Sequence, residues 1–158
     1  QNLVDNMHSK YRRGRAAALN MVITETGAGK AVSKALPSLV NKLTSNAIRV
    51  PVPNGSLAIL NLEIKKNTSL KKINSLMKNA ALSGALVEQI KYEINDELVS
   101  SDIVGCTAPA IYDSKATIVR AGGKNIILYI WYDNEFGYSH QVIRLAKYIA
   151  KVRRFTYY

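Results

Sequence analysis

Three consecutive polar residues, Asp133, Asn134 and Glu135, lie where a predicted strand meets a predicted helix. The preceding residues, 125–130, are almost all apolar or β-favouring, which indicates a strand buried on both faces. Apolar residues then recur at helical spacing and predict a helix: Val142, Leu145, Ile149 and Val152. Side chains at such a junction can face a ligand, and asparagine offers donors and acceptors that suit an amide group. The structural alternative is that Asp133 or Asn134 only caps the helix.

A second group of residues has the chemistry of an anion site. Thr26 and Gly27 open a predicted helix, residues 27–36, and a hydroxyl with free N–H groups at a helix start attracts an anion. Arg49 alternates with apolar neighbours in a predicted strand, and its planar guanidinium suits phosphate oxygens. We therefore expect Arg49 to face Thr26. The alternatives are that Thr24 or Thr26 only caps the helix and that Arg49 forms an exposed salt bridge, worth about 0–1 kcal/mol.

Cys106 is the single cysteine, so the chain has no internal disulfide, which fits the reducing environment of the cytoplasm. It lies in an apolar stretch that predicts a strand, with no histidine near it in sequence, and we expect a buried structural thiol. His8 and His140 lie far apart and provide no metal-binding spacing. The sequence therefore predicts no metal site.

The length of 158 residues predicts one domain with a sizeable core. No apolar run approaches the roughly 18 residues that would indicate a membrane span. The net charge of +11 is unusual and raises the alternative of a nucleic-acid surface. The basic residues are scattered, however, without the interleaved aromatic residues typical of RNA-binding strands. Solvated lysine-rich helix faces, or a more acidic portion of a longer parent protein that balances the charge, explain it better than nucleic-acid binding does. A ligand with two phosphates or a pyrophosphate would also favour a positive cleft.

The pattern of elements predicts an α+β fold with a mostly antiparallel sheet and two to three helices on one face. A helix over 70–81 has Thr68 or Ser69 as its candidate cap, and Gly122-Gly123 forms a turn before the last strand. Residues 1–15 are predicted to form a loop, and residues 16–22 a strand or a short helix. The remaining predicted strands are 48–52, 60–65, 89–94, 106–112 and 115–119.

Three ordered segments carry a resemblance to a known family. WYDNEFGYSH, residues 131–140, resembles the signature near the C-terminus of phosphorylating glyceraldehyde-3-phosphate dehydrogenases. Residues 24–32, TETGAGKAV, and 49–54, RVPVPN, resemble that family's threonine-glycine phosphate loop and its arginine strand. Weaker matches lie at 12–15 and 99–102, and the resemblance covers Gln1 to about Val152. Three motifs in family order are a more specific signal than one short pattern.

The resemblance implies that residues 1–158 are the C-terminal, substrate- and phosphate-binding portion of such an enzyme. The parent would oxidise and phosphorylate glyceraldehyde 3-phosphate with NAD, or alternatively NADP, as a cytoplasmic homotetramer in glycolysis. In the family, the nucleotide-binding domain, the nucleophilic cysteine and its histidine precede the segment that matches Gln1. We therefore expect no catalytic residue and no turnover in this chain alone. The alternatives are a non-catalytic assembly or regulatory module that retains the fold, or a basic nucleic-acid binder.

The resemblance also assigns binding roles. The phosphate-binding residues would be Arg13, Thr26, Gly27 and Arg49, for the phosphate of glyceraldehyde 3-phosphate and for inorganic phosphate. Arg13 has neighbours of the same type in Arg12 and Arg15, which are the alternatives to it. Asn134 would hold the nicotinamide carboxamide, with Glu135 and Tyr138 packed around it as structural support. Residues 1–15 resemble a loop that lines the cofactor cavity of a neighbouring subunit, where Asn6-Met7 replaces the family's usual Leu-Pro and leaves the choice between NAD and NADP open.

Overall fold

The structure is a computed structural model that describes residues 1–152. The chain divides into two compact units, Gln1–Pro53 and Asn54–Tyr158. The first unit carries the predicted anion-binding residues and the second carries the strand-to-helix junction with Asn134. None of the helices in the described part is long and apolar enough to cross a membrane.

The first unit contains one helix and a two-stranded antiparallel sheet. Its elements are β1 (Val22–Thr24), α1 (Ala28–Ala35) and β2 (Ala47–Arg49), with short 3₁₀-helices at Tyr11–Gly14 and Pro37–Leu39. Val22 and Thr24 are buried and Ile23 between them is exposed, as the period of a strand requires. α1 confirms the helix predicted over 27–36. The strand predicted over 48–52 corresponds to β2, which is shorter and begins one residue earlier.

The second unit contains a five-stranded mixed sheet and two helices. Its elements are β3 (Ser56–Glu63), α2 (Leu70–Leu82), β4 (Ile90–Glu93), β5 (Ala110–Asp113), β6 (Ile118–Val119), β7 (Asn125–Tyr132) and α3 (Asn134–Ile149). The sheet order is β3-β7-β5-β4, with β6 also beside β7. β7 pairs antiparallel with β3, β5 and β6, whereas β4 and β5 are parallel. The α+β class and the mostly antiparallel pairing are confirmed.

The structure differs from the sequence-based expectations in two respects. The strands form two sheets and not one. The last strand is predicted to be buried on both faces. β7 is central in the sheet, yet only Ile126 of its side chains is fully buried. One reason is that α2 contacts β4, two strands away from β7. The fully buried apolar residues of this unit, Ile103, Ile111, Tyr112 and Ile126, form a small core. The helical spacing predicts that α3 runs through Val152 up to Arg153 and Arg154, whereas α3 ends at Ile149. Arg153 and Arg154 themselves lie outside the described residues.

The start of α2 shows how local sequence determines an element boundary. The Ser69 hydroxyl accepts a hydrogen bond from the Lys72 amide at 3.3 Å, so Ser69 is the cap that the sequence left open between two residues. Thr68 instead donates its backbone N–H to the Gly123 carbonyl at 2.9 Å. Gly123 has a φ of +69°, and a Cβ there would lie 2.3 Å from the Thr68 carbonyl oxygen. Glycine is thus required at position 123 by its left-handed backbone and by close packing against Thr68, the residue before the helix cap.

We expect Ser69→Ala to lower the free energy of unfolding by about 1 kcal/mol, because it removes a helix N-cap that lies on the surface. Thr68→Ala is the matched control: its hydroxyl makes no hydrogen bond within residues 1–152, so the loss is expected to be less than half as large. Urea denaturation followed by circular dichroism measures both. Equal losses from the two substitutions would contradict the assignment of the cap.

Candidate anion and carboxamide sites

The strand-to-helix junction is organised by Asp133, which lies between β7 and α3 and is 1% exposed. Its Oδ1 accepts hydrogen bonds from the backbone N–H groups of Glu135 and Phe136, both at 2.9 Å. Asp133 is therefore the helix cap, which the sequence left open between Asp133 and Asn134. The side chain of Asn134 is consequently not needed for capping.

The second carboxylate oxygen of Asp133 joins two distant segments. Oδ2 accepts from the Asn54 side-chain amide at 3.0 Å and from the Gly105 backbone N–H at 2.9 Å. Hydrogen bonds from backbone N–H groups hold the pKa of Asp133 below its ordinary 3.8; that of Gly105 is the largest cause and that of Phe136 the next, while burial opposes them. Sequence reasoning missed this role because the two partners lie 79 and 28 residues away.

Asn134 is the exposed member of the junction. Its Nδ2 donates to the Ser56 hydroxyl at 3.0 Å, and its side chain has no other hydrogen bond within residues 1–152. The second N–H and the carbonyl oxygen therefore remain available, and together they are complementary to a carboxamide. Tyr138 is 72% exposed and Glu135 is also exposed, so within residues 1–152 neither side chain is buried around the junction, and their supporting role stays a prediction.

The start of α1 combines a hydroxyl with accessible backbone. Thr26 accepts a hydrogen bond from the Ala28 N–H at 3.2 Å, so its hydroxyl does support the helix start. Gly27 is exposed, and a Cβ added there would meet nothing within 4 Å. The first turn of α1 contains no acidic residue that would repel an anion. Thr24 lies buried in β1 and is not the cap.

The strand register positions Arg49 away from the Thr26 loop. Arg49 pairs with Val22, whereas Thr24, which leads towards Thr26, pairs with Ala47. Two residues along a strand correspond to about 7 Å, so the pairing itself does not bring Arg49 to Thr26. The guanidinium is exposed and makes no hydrogen bond or ion pair within residues 1–152, so the alternative of a salt bridge is not observed there. Convergence of Arg49 with Thr26 stays a prediction.

A cavity of about 400 Å³ in the first unit lies beside this loop and is lined by Arg12, Arg13 and Glu25, among others. Glu25 accepts a hydrogen bond from Lys10 at 2.5 Å. That bond and the positive charge of Lys10, with smaller effects of Arg13 and Lys30, hold the pKa of Glu25 below its usual range. Arg15, the third arginine of the segment, forms an ion pair of 3.2 Å with Asp5. Arg12 and Arg13 thus remain as the two candidate anion ligands from this loop.

Cys106 lies in a loop, and the expectation of a strand with a buried thiol is wrong. The residue is half-buried, its amide donates to the Ile103 carbonyl at 3.0 Å, and β5 begins only at Ala110. Gly105, with a φ of +84°, turns the chain just before it. Within the described residues, no cluster of three histidine, cysteine or acidic side chains could hold a metal ion.

Comparisons with known proteins cover nearly the whole chain. Residues 1–134 match the family model described as glyceraldehyde 3-phosphate dehydrogenase, C-terminal domain. A glyceraldehyde-3-phosphate dehydrogenase-like protein of Pseudomonas aeruginosa is 51% identical over 152 residues, which are 96% of this chain and 32% of that protein. The glyceraldehyde-3-phosphate dehydrogenase of Clostridium pasteurianum is 40% identical over 158 residues, covering 98% of this chain and 46% of the relative. The chain thus spans about a third to just under a half of these curated relatives.

Proposed function

This chain belongs to the glyceraldehyde 3-phosphate dehydrogenase C-terminal domain family, and we propose that it is the C-terminal portion of a glycolytic dehydrogenase. The intact enzyme would oxidise and phosphorylate glyceraldehyde 3-phosphate with a nicotinamide cofactor. The observation that carries this proposal is the family match over residues 1–134, because that range contains every residue to which we assign a binding role. The nucleophile would come from another part of the enzyme.

The first unit would supply the two anion sites. Thr26 and Gly27 would bind a phosphate through the hydroxyl and the accessible N–H groups at the start of α1, assisted by the helix dipole. Arg49 would bind a phosphate oxygen through its guanidinium, which has no protein partner within residues 1–152. Arg13 would complete the second site from the neighbouring cavity. The excess of positive charge in this segment favours a dianionic substrate.

Asn134 would hold the cofactor. Its free N–H and carbonyl oxygen fit the carboxamide end of nicotinamide, so the residue type and its exposure suit the proposed group. When bound, the nicotinamide would accept the hydride. By holding the carboxamide, Asn134 would determine which face of the ring meets the substrate, which is a positioning role. We propose NAD as the cofactor, with NADP as the alternative that parallel assays would distinguish.

We further propose that the intact enzyme is a cytoplasmic homotetramer. The apolar side chains of α3 support burial against another protein surface, since Val142 is 49%, Leu145 58% and Ile149 71% exposed. The single cysteine supports a reducing compartment. Sedimentation of the intact enzyme tests the assembly, and a monomer at micromolar concentration would contradict it.

Steady-state kinetics of the intact enzyme test the division of roles. Asn134→Ala is expected to raise the cofactor KM about 2- to 10-fold and to lower kcat, because a neutral hydrogen bond is lost and the ring is misoriented. Arg49→Ala is expected to raise the requirement for substrate or phosphate by about 10- to 100-fold, because a charge-assisted contact with an anion is lost. Each substitution should leave the other parameter nearly unchanged.

Arg120→Ala is the matched control for Arg49→Ala, since it removes an exposed arginine from the other unit of the chain. It should leave the phosphate dependence unchanged. Arg12→Ala beside Arg13→Ala identifies which cavity arginine binds the anion, and we expect Arg13 to have the larger effect. An Asn134→Ala enzyme altered chiefly in its phosphate dependence would show that these roles are misassigned.

A further inference from the structure

Two adjacent side-chain hydrogen bonds tie the start of β3 to the end of β7. The Asn54 amide donates to Asp133 Oδ2 at 3.0 Å, and the Asn134 amide donates to the Ser56 hydroxyl at 3.0 Å. Ser56 is the first residue of β3 and pairs with Tyr132, the last residue of β7. The sheet ladder therefore brings the hydroxyl next to the junction, and the hydrogen bond determines where the Asn134 side chain points.

The turn that carries Ser56 is itself held firmly. Asn54 Oδ1 accepts from the Gly55 N–H at 2.6 Å while its amide group contacts the buried carboxylate of Asp133. Gly55 has a φ of +93°, and a Cβ there would lie 3.3 Å from the Ser100 carbonyl oxygen, so the turn is constrained on its other side as well. Ser56 is consequently a fixed acceptor next to an otherwise exposed amide.

We propose that Ser56 is a positioning residue that holds the Asn134 side chain ready to receive a carboxamide. An exposed asparagine without a partner distributes over several rotamers, and a ligand must then select the competent one, which weakens its apparent affinity. The bond to Ser56 uses one N–H of Asn134, and the second N–H and the carbonyl oxygen have no partner within residues 1–152. This inference rests on the proposed role of Asn134 in cofactor binding.

A double-mutant cycle in the intact enzyme tests the proposal. Ser56→Ala is expected to raise the cofactor KM about 2- to 10-fold and to leave the KM for glyceraldehyde 3-phosphate and phosphate unchanged. Ser56→Thr retains a hydroxyl and should restore most of the loss. In an Asn134→Ala background, Ser56→Ala should have no further effect on the cofactor KM, because the residue through which it acts is gone.

Ser69→Ala is the control for a purely structural serine: it should lower Tm and leave the cofactor KM unchanged. If Asn134→Ala raises the cofactor KM and Ser56→Ala does not, the positioning role is wrong and the proposed function stands. A Ser56→Thr enzyme as impaired as Ser56→Ala, or additive effects in the double mutant, would also overturn the positioning role. If Asn134→Ala leaves the cofactor KM unchanged, the cofactor role of Asn134 and the role of Ser56 both fail.

Discussion

The isolated 158-residue chain is expected to show no oxidation of glyceraldehyde 3-phosphate with NAD or NADP. The reaction needs an activated thiolate, and the single cysteine, Cys106, lies half-buried in a loop. Its thiol has no hydrogen-bond or charged partner within residues 1–152. Without a base or a cation beside it, the thiol is not activated as a nucleophile, and reduction of the cofactor should remain at the level of the buffer.

The absorbance of the reduced cofactor at saturating substrate and phosphate measures this, with circular dichroism to verify that the chain is folded. Cys106→Ser is the matched variant, and it should be as inactive as the unsubstituted chain. Turnover that the substitution abolishes would identify Cys106 as a nucleophile after all. Turnover that survives it would mean that the catalytic group lies elsewhere in these 158 residues.

Asp133→Ala is expected to be the most destabilising single substitution at the junction and to lower Tm by about 5 °C or more. It removes the cap of α3 and leaves the N–H groups of Asn54 and Gly105 without their acceptor. Asp133→Asn distinguishes these two contributions, since asparagine caps a helix as well as aspartate does. The amide group of asparagine would face the N–H donors of Asn54 and Gly105, so we expect Asp133→Asn to lower Tm nearly as much as Asp133→Ala. An Asp133→Asn protein with an unchanged Tm would contradict the role of the carboxylate as the acceptor that joins these two segments.

The lowered pKa of Asp133 predicts how the stabilities of the unsubstituted protein and of Asp133→Asn depend on pH. A carboxyl group whose pKa is lower in the folded state stabilises the fold fully above its ordinary value of 3.8. That contribution is lost as the pH falls through the lowered value. The Tm difference between the unsubstituted protein and Asp133→Asn should therefore be constant near neutral pH and shrink below pH 3.8. Other carboxyl groups titrate there too, but they are present in both proteins and cancel in the difference.

Local patterns were sufficient for the helices. The helix predicted over 70–81 is observed at Leu70–Leu82, and its cap is one of the two residues that the sequence offered. The helix predicted over 27–36 is α1 (Ala28–Ala35). Helical hydrogen bonds and caps join residues at most four positions apart, so the information lies within a short window of sequence.

Burial was not predictable in the same way. Periodic apolar residues correctly predicted α3, yet Leu145 and Ile149 on it are exposed in this chain. The apolar surroundings of Cys106 suggested a buried strand, and the residue lies half-buried in a loop. Apolar spacing shows which face an element can bury, whereas the surface that covers this face belongs to other segments or other chains.

The sequence by itself determined the family, the fold class and the residue types at the start of α1 and at the junction of β7 and α3. Only the tertiary structure decided which of these side chains are committed to structure and which stay available. It makes Asp133 the cap and the acceptor for Asn54 and Gly105, and it places Ser56 beside Asn134. The physical reason is distance along the chain: these partners lie 28 to 79 residues apart, and only the pairing of β3 with β7 and the folding of the loops around it bring them together.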